Sequence, residues 1–439
     1  MLDIKRIRES SDDVRRGLAS KRADPALVDG VLEMDRARRA QLTEVEVLKS
    51  QRNKVSKEIG SQKRAGGDTT AVEAEMRGLG DRITELDRQV REIDARLDAL
   101  LLTIPNVPHA SVQTGADSSG NRVVKTWGQA RSFDFQPKDH LTLGEALGII
   151  DMPRAARLSA SGFPLMVGAG SRLQRALINF MLDLHVTEHG YTEVWPPVLC
   201  NTAAMTGTGQ LPKMAEDMYR MANDELYLAP TAEVPVTNIY REEVLTQPLP
   251  VCLTAYSACF RREAGSAGRE TRGLIRVHQF DKVEMVKFVE PSTSYDELEK
   301  LLSNAEDVLQ RLGLHYRVLQ LCTGDLSFAA AKCYDLELWA PGHNGWLEVS
   351  SCSNFEDFQA RRASIRYRAK DGKPALVHTL NGSGVALPRL VIALLENGQQ
   401  ADGSVRLPDA LVPYMGGMDR ILWPSCERCT VWRRRYTAA

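Results

Sequence analysis

From Val72 onward, apolar residues fall at Val72, Met76, Leu79, Ile83, Leu86, Val90, Ile93, Leu97 and Leu100, in alternating steps of four and three. That spacing keeps one stripe on one partner and predicts a helix with a coiled-coil seam. A looser stripe upstream, Leu42, Val45, Leu48, Val55 and Ile59, predicts a second helix, and Ala65, Gly66, Gly67 and Asp68 between the two are turn formers. The simplest object with this pattern is an antiparallel two-helix hairpin. Helices of about 27 residues reach roughly 40 Å, beyond the radius of a compact domain, so the hairpin is expected to project as an arm. Prolines in residues 102–108 stop the second helix, and a Gly/Ser/Asp-rich stretch, residues 114–121, follows.

Further along, Leu173, Leu177, Phe180, Met181 and Leu184 recur at helical spacing, Gly190 is the expected C-cap, and residues 191–199 read as a short strand ending in proline. Two runs of strand character, residues 251–262 and 275–289, flank a segment rich in glycine and charge and predict a long β-hairpin. Alternation along a strand then puts Arg261 and Glu263 on one face, and Arg276, Phe280 and Glu284 on one face of the return strand. A solvated face carrying charge pairs is the plain reading of such a hairpin. Two arginines, two carboxylates and an aromatic ring together nonetheless cost desolvation unless they bind something.

Composition narrows the class. A chain of 439 residues, 43% hydrophobic and 26% charged, is too long for one small module and too apolar for a disordered chain. Lys plus Arg number 56 against 57 Asp plus Glu, so any nucleic-acid surface has to come from local segregation of charge. Such segregation exists in the predicted arm. Residues 36–64 carry Arg36, Arg38, Arg39, Lys49, Arg52, Lys54, Lys57, Lys63 and Arg64 against Glu44, Glu46 and Glu58, and the first seven of these cations are the candidate nucleic-acid contacts. Charges that pair across the seam explain this as well as a basic face for phosphates does. The eight cysteines are dispersed, which suits reduced thiols, and Cys426 and Cys429 form a lone CxxC pair without further zinc ligands. No run nears the roughly 18 to 20 apolar residues of a membrane span, and the N-terminus lacks a signal-peptide core, so no membrane association and a cytoplasmic location are expected. Neither GxxxxGK[ST] nor a strand-to-helix GxGxxG is present, so ATP chemistry would need another scaffold.

Phe260-Arg-Arg-Glu-Ala-Gly265 followed by Arg276-Val-His-Gln-Phe-Asp-Lys-Val-Glu284 resembles motif 2 of the class II aminoacyl-tRNA synthetases, in the form found in the seryl-tRNA synthetase family. Gly190-Tyr-Thr-Glu-Val-Trp-Pro-Pro197 resembles motif 1, a dimer-interface segment, and Leu228-Ala-Pro-Thr-Ala-Glu233 the TxE loop. Glu348-Val-Ser-Ser-Cys-Ser-Asn354 and Asp357-Phe-Gln-Ala-Arg-Arg362 are further characteristic segments, and Asn381-Gly-Ser-Gly384 through Arg389 resembles motif 3. The resemblance covers nearly the whole chain, in order. It implies an α+β fold: an antiparallel class II sheet flanked by helices, with the hairpin as a tRNA-binding arm. The implied domains are residues 1–104 for tRNA binding, a linker 105–135, a catalytic domain 136–416 and a tail 417–439. The implied reaction is ATP-dependent activation of L-serine to seryl-adenylate and transfer to tRNA(Ser), and also tRNA(Sec), by a homodimer.

The resemblance also assigns roles. Arg261 takes the α-phosphate of ATP, Arg276 the γ-phosphate, and Arg389 and Phe280 lie on opposite faces of the adenine, whose amino group Glu263 accepts from. Arg261, Glu263 and Arg389 form the catalytic set, while Arg262, Val277, Val349 and Ser350 complete the ATP-binding stretch. Glu348 and Ser351 resemble ligands of a phosphate-bridging Mg²⁺. Three residues apart, they face opposite ways on an ideal strand, and a strand end or a bulge between Val349 and Ser351 would reconcile them. Thr231, Ala232, Glu233, Arg261, Glu284, Asn381 and Ser383 surround serine, with Glu284 and Thr231 on the ammonium. Pro388 directly precedes Arg389, which a first helical turn tolerates and a helix interior does not. A carrier ligase would be expected to lack the arm, and an inactive paralogue to have lost phosphate or metal positions; this chain shows neither loss.

Overall fold

Two long helices, α1 (Leu27–Arg64) and α2 (Thr70–Thr103), form the hairpin that the stripes predict, in a computed structural model that describes residues 1–264 and 272–422. They run to 38 and 34 residues rather than about 27. The extra turns of α1 lie at its start, where buried Val28 and Val31 pack with the short helices Ile4–Glu9 and Ser11–Ser20. Val45 and Ile59 from α1, and Ile83, Leu86, Val90 and Leu97 from α2, are buried along the seam. Gly66, at φ +74°, makes the turn between the helices, a conformation that a side chain would oppose.

The charges of the arm divide into two groups. Arg38 pairs with Asp94, Lys49 with Asp87 at 3.3 Å, and Arg82 with Glu44 at 2.8 Å, all between the helices. Arg39 reaches the buried Asp35 at 2.9 Å within α1. Arg36, Arg52, Lys54 and Lys57 are exposed and make no ion pair among the described residues. Pairing across the seam and within α1 therefore accounts for part of the basic helix and leaves these four facing solvent, together with Arg64 at the helix end, which bonds only the Gly60 carbonyl.

The chain divides into two units, Met1–Val107 and Pro108–Ala439. The second is built on an eight-stranded sheet. Its elements in chain order are β1 (Arg122–Trp127), α3 (Ala169–Thr187), β2 (Thr192–Glu193), β3 (Val251–Phe260), β4 (Gln279–Val289), α4 (Ser294–Arg311), β5 (Tyr316–Gln320), β6 (Lys332–Ala340), β7 (Gly345–Asn354), β8 (His378–Ala386) and α5 (Leu387–Gly398). The strand order is β1-β5-β6-β7-β8-β4-β3-β2, antiparallel throughout except for the β2–β3 pair at one edge. The segment expected as a linker, 105–135, thus contains an edge strand, β1. Its residues are mostly exposed, so it carries no buried alternation for a sequence reading to detect. The predicted strand over 191–199 shrinks to two residues, and α3 ends at Thr187 with Glu188 as its cap, Gly190 turning the chain at φ +75°.

β4 sorts its side chains by parity. Val283, Met285 and Val289 enter the main core with Leu173, Leu177, Met181 and Leu184 of α3 and with buried leucines of α4 and α5. Val286 and Phe288, of the other parity, close a second cluster with Ala232 and Ala360. Phe280, Lys282 and Glu284 share that second face. Cys426, Cys429 and most of the expected tail lie outside the described residues, as does part of the β3–β4 loop.

Truncating the seam at Leu86→Ala should cost about 3 kcal/mol, as for other buried leucines. Denaturant unfolding followed by helical circular dichroism should show one destabilised transition; an unchanged profile would mean that the seam is not a packed core.

Candidate active site

Glu284 is fully buried at the centre of β4, and its two oxygens are fully engaged. Asn381 Nδ2 of β8 donates to Oε1 at 2.7 Å, while Oε2 accepts from Thr231 Oγ1 at 3.3 Å and lies 2.5 Å from Lys282 Nζ. Lys282 Nζ also donates to Thr231 Oγ1 at 2.8 Å. Ser383 stands opposite Glu284 in the β8–β4 register, and Ala255 opposite it on β3. Glu233, two residues past Thr231, is buried beside them, with Gln359 Nε2 donating to its Oε1 at 2.6 Å. Ala232 is buried in the adjoining cluster. Apart from Arg261, the serine set expected from sequence is therefore gathered around one carboxylate.

The phosphate and adenine set lies nearer the start of β4. Arg261 carries its guanidinium 5.2 Å from the Phe280 ring centroid and donates Nε to the Pro230 carbonyl at 3.2 Å. Arg276 lies before β4 rather than on it, yet its Nη1 is 2.8 Å from Glu263 Oε2. Glu263 adopts φ +51°, so the chain turns there and strand parity no longer governs either residue. Arg262 is exposed and points over Tyr219, away from this group. Val277 and Val349 are buried apolar side chains, so they can offer a ligand only main chain. Pro388 and Arg389 fall in the first turn of α5, which resolves the proline question in favour of an unkinked helix. Arg389 donates Nη1 to the Glu348 carbonyl at 2.8 Å and Nε to that of Ile275 at 3.1 Å.

β7 breaks its pairing with β6 between Glu348 and Ser350. This bulge at Val349 brings Ser351 Oγ to 3.4 Å from Glu348 Oε1, and Ser351 Oγ donates to Asp335 Oδ1 of β6 at 2.6 Å. Ser350 turns inward and donates to the Ser383 carbonyl at 2.6 Å. Burial, and then the charge of Glu348, push the Asp335 carboxyl well above the usual carboxylate range. A cation between the two carboxyls would relieve that strain. Glu348, Ser351 and Asp335 present oxygen atoms alone, the donor chemistry that suits a hard ion such as Mg²⁺. Behind β8, His185 Nε2 faces the Gly384 carbonyl at 3.1 Å and so carries the proton; burial holds its pKa down to about 4, which keeps the ring neutral.

The description of the seryl-tRNA synthetase N-terminal domain matches residues 1–108, and that of the class II tRNA synthetase core domain (G, H, P, S and T) matches residues 217–398. Serine–tRNA ligase of Listeria welshimeri is 54% identical over 97% of this chain and all of its own length. That of Carboxydothermus hydrogenoformans is 56% identical over 96% of this chain and 99% of its own. The chain belongs to the seryl-tRNA synthetase family. It is an enzyme, a serine–tRNA ligase, which activates serine with ATP and transfers it to tRNA. A crystal structure of seryl-tRNA synthetase from Pyrococcus horikoshii complexed with ATP superposes with a TM-score of 0.91 at 38% identity, covering 96% of this chain and 99% of that one. The cytoplasmic serine–tRNA ligase of Naegleria fowleri in complex with AMP gives 0.86 at 28%, covering 97% and 99%.

Sequence reasoning passed over Lys282, Asp335 and Gln359. Lys282 shares the parity of Phe280 and Glu284, a signal that could have found it, whereas Asp335 meets Ser351 only through the β6–β7 register. Gln359 lies in a segment that was singled out, but its contact with Glu233 is tertiary.

Burial, with the charge of Glu284 second, raises the Glu233 carboxyl from 4.5 to about 7, against the opposing pull of Gln359, Lys282 and Arg261. Between those values the folded chain holds a proton that the unfolded chain has released. The stability of the fold relative to Glu233→Gln should therefore fall as pH rises from about 4.5 to about 7 and level off above. Denaturant unfolding of both proteins across that range checks this; parallel curves would mean that Glu233 is ionised throughout.

Proposed function

We propose that one face of β4 is the axis along which seryl-adenylate is made. The observation that carries this reading is the placement of Phe280 and Glu284 on that face, four residues or about 13 Å apart, with Arg261 over the first. That span accommodates an adenine at one end and an amino-acid ammonium at the other. Phe280 and Arg389 hold the adenine, Glu263 accepts from its amino group, and Glu284 with Thr231 binds the ammonium. Glu233, Asn381 and Ser383 close on the serine hydroxyl, so alanine leaves polar groups unpaired and threonine is excluded by size.

In the first step a serine carboxylate oxygen attacks the α-phosphorus in line and the bond to pyrophosphate breaks. Arg261 at the α-phosphate and Arg276 at the γ-phosphate gather negative charge, each through a planar fork suited to phosphate oxygens. Glu263 and Arg276 neutralise each other at 2.8 Å, so adenine and phosphate each take one member of a pair already in place. Glu348 and Ser351 would hold Mg²⁺, which supplies further neutralisation of the phosphates. In the second step a ribose hydroxyl at the tRNA 3′ end attacks the seryl carbonyl and AMP leaves.

The arm binds the tRNA backbone, and the unpaired cations Arg36, Arg52, Lys54 and Lys57 are the contacts we assign to phosphates, with Arg38 and Lys49 tying the two helices together and Arg39 held to Asp35 within α1. The tRNA is tRNA(Ser) and, by the same resemblance, tRNA(Sec). A homodimer is supported by the exposed apolar side chains Trp195 in the motif 1 segment and Val198 and Leu199 directly after it. A cytoplasmic location suits an enzyme that consumes ATP and tRNA, and no helix among the described residues is long and apolar enough to cross a membrane.

Arg261→Ala should lower serine-dependent pyrophosphate exchange by about 10² to 10³, the loss seen when one charge-stabilising donor is removed, with the circular dichroism spectrum intact. Exchange within a few fold of wild type would overturn the phosphate assignment. Replacing Arg36, Arg52, Lys54 and Lys57 together by Gln should spare exchange, weaken tRNA charging and flatten its salt dependence by about one logarithmic unit of slope per lost contact. Unchanged charging would make the arm's free cations ordinary solvated surface.

A further inference from the structure

Lys282 has no role in the scheme above, yet it lies between the two ends of the proposed axis. Along β4 the order on one face is Phe280, Lys282, Glu284, at steps of about 6.6 Å. If adenine sits at the first and the ammonium at the third, the second stands under the region where carboxylate meets α-phosphate. The side chain is buried, and its ammonium takes Glu284 Oε2 at 2.5 Å and Thr231 Oγ1 at 2.8 Å. Those are the groups assigned to the ammonium of serine. Its neighbours across the ladder are the small residues Ser257 on β3 and Ala386 on β8, and its stem is the unbranched, flexible chain of a lysine.

We propose that Lys282 is a further catalytic residue: the substrate ammonium replaces it on Glu284 and Thr231, and it turns to the serine carboxylate and the α-phosphate. The inference rests on the assignment of Glu284 to the ammonium. A buried cation that loses its carboxylate needs another anion, and serine brings one on the same molecule. Binding is then an exchange of partners in which ammonium replaces ammonium and the incoming carboxylate pairs with the released lysine. During the reaction the carboxylate oxygen forms a bond to phosphorus, pyrophosphate leaves with the electron pair of the broken bond, and no proton moves. The Lys282 ammonium offsets the charge that gathers between the two reacting anions. An amine with the hydroxyl of serine but no carboxylate would displace Lys282 and leave it unpaired, so the exchange also selects for an α-carboxylate.

The test uses the full-length enzyme with serine and with serinol, in which a hydroxymethyl group replaces the carboxylate. Wild type, Lys282→Met and Lys282→Gln are compared by calorimetric binding of both ligands and by pyrophosphate exchange. Gln keeps hydrogen bonds to Glu284 and Thr231 and so guards against loss of fold. The neutral variants should lose about 10² in exchange kcat. They should also bind serine more weakly and serinol as well as wild type or better, so that the serine-to-serinol affinity ratio falls at least tenfold. Equal weakening of both ligands, or kcat within a few fold of wild type, overturns the proposal by reducing Lys282 to a support of the pocket. Glu284→Gln, run in parallel, separates the two readings. If it weakens both ligands while the Lys282 variants keep the wild-type ratio, the ammonium site stands and the lysine exchange fails. If it weakens neither, the ammonium assignment itself is wrong.

Discussion

A carboxylate with no access to water must have every oxygen satisfied, and Glu284 is such a group. Its partners come from separate stretches of chain: Thr231 from the loop before a short helix, Lys282 from its own strand and Asn381 from β8. Asn381 reaches it only if β4 and β8 pair in the observed register, since a slip of one residue would turn Asn381 to the other face. Satisfying one buried charge therefore constrains the centre of the sheet. The same arrangement leaves Glu233 close enough to feel that charge, which helps to hold its carboxyl near neutrality.

Around that centre, two interruptions of regular pairing aim the remaining groups. The bulge at Val349 turns Ser350 inward to the Ser383 carbonyl and brings Ser351 to the side of Glu348. A second irregularity, between Ser383 and Ala386, ends β8 and delivers the chain into α5, whose first turn carries Arg389 back to the Glu348 carbonyl. The neutral His185 holds the Gly384 carbonyl from behind, where a side chain on residue 384 would collide with the imidazole. Local departures from strand geometry thus bring groups from β4, β7 and α5 onto one surface.

In the arm, the opposing principle operates. Its charges sit on solvated helix surface, where single ion pairs contribute little to stability, and their importance lies in which cations stay free. Cross-seam and intrahelical pairs occupy Arg38, Arg39 and Lys49, and the exposed remainder forms a sparse basic surface on a helix that already has its packing from the seam. Packing and unpaired positive charge are carried by different side chains of the same hairpin.

The sequence by itself determined the elements whose signals are periodic or local: the heptad seam, the stripe of α3, the alternation of β4, and the ordered motifs that mark the family. Each is dictated by neighbours within a few residues, so it survives without knowledge of the fold. Contacts between distant strands decided the rest. Strand parity was a sound guide inside β4 but failed at Arg276 and Glu263, where a left-handed residue turns the chain and an ion pair replaces alternation. The partnership of Asp335 with Ser351, the hold of Gln359 on Glu233 and the β1 strand within an apparent linker are set by register and burial. Those are properties of the assembled sheet, because the desolvation that makes such contacts obligatory does not exist until the sheet has formed.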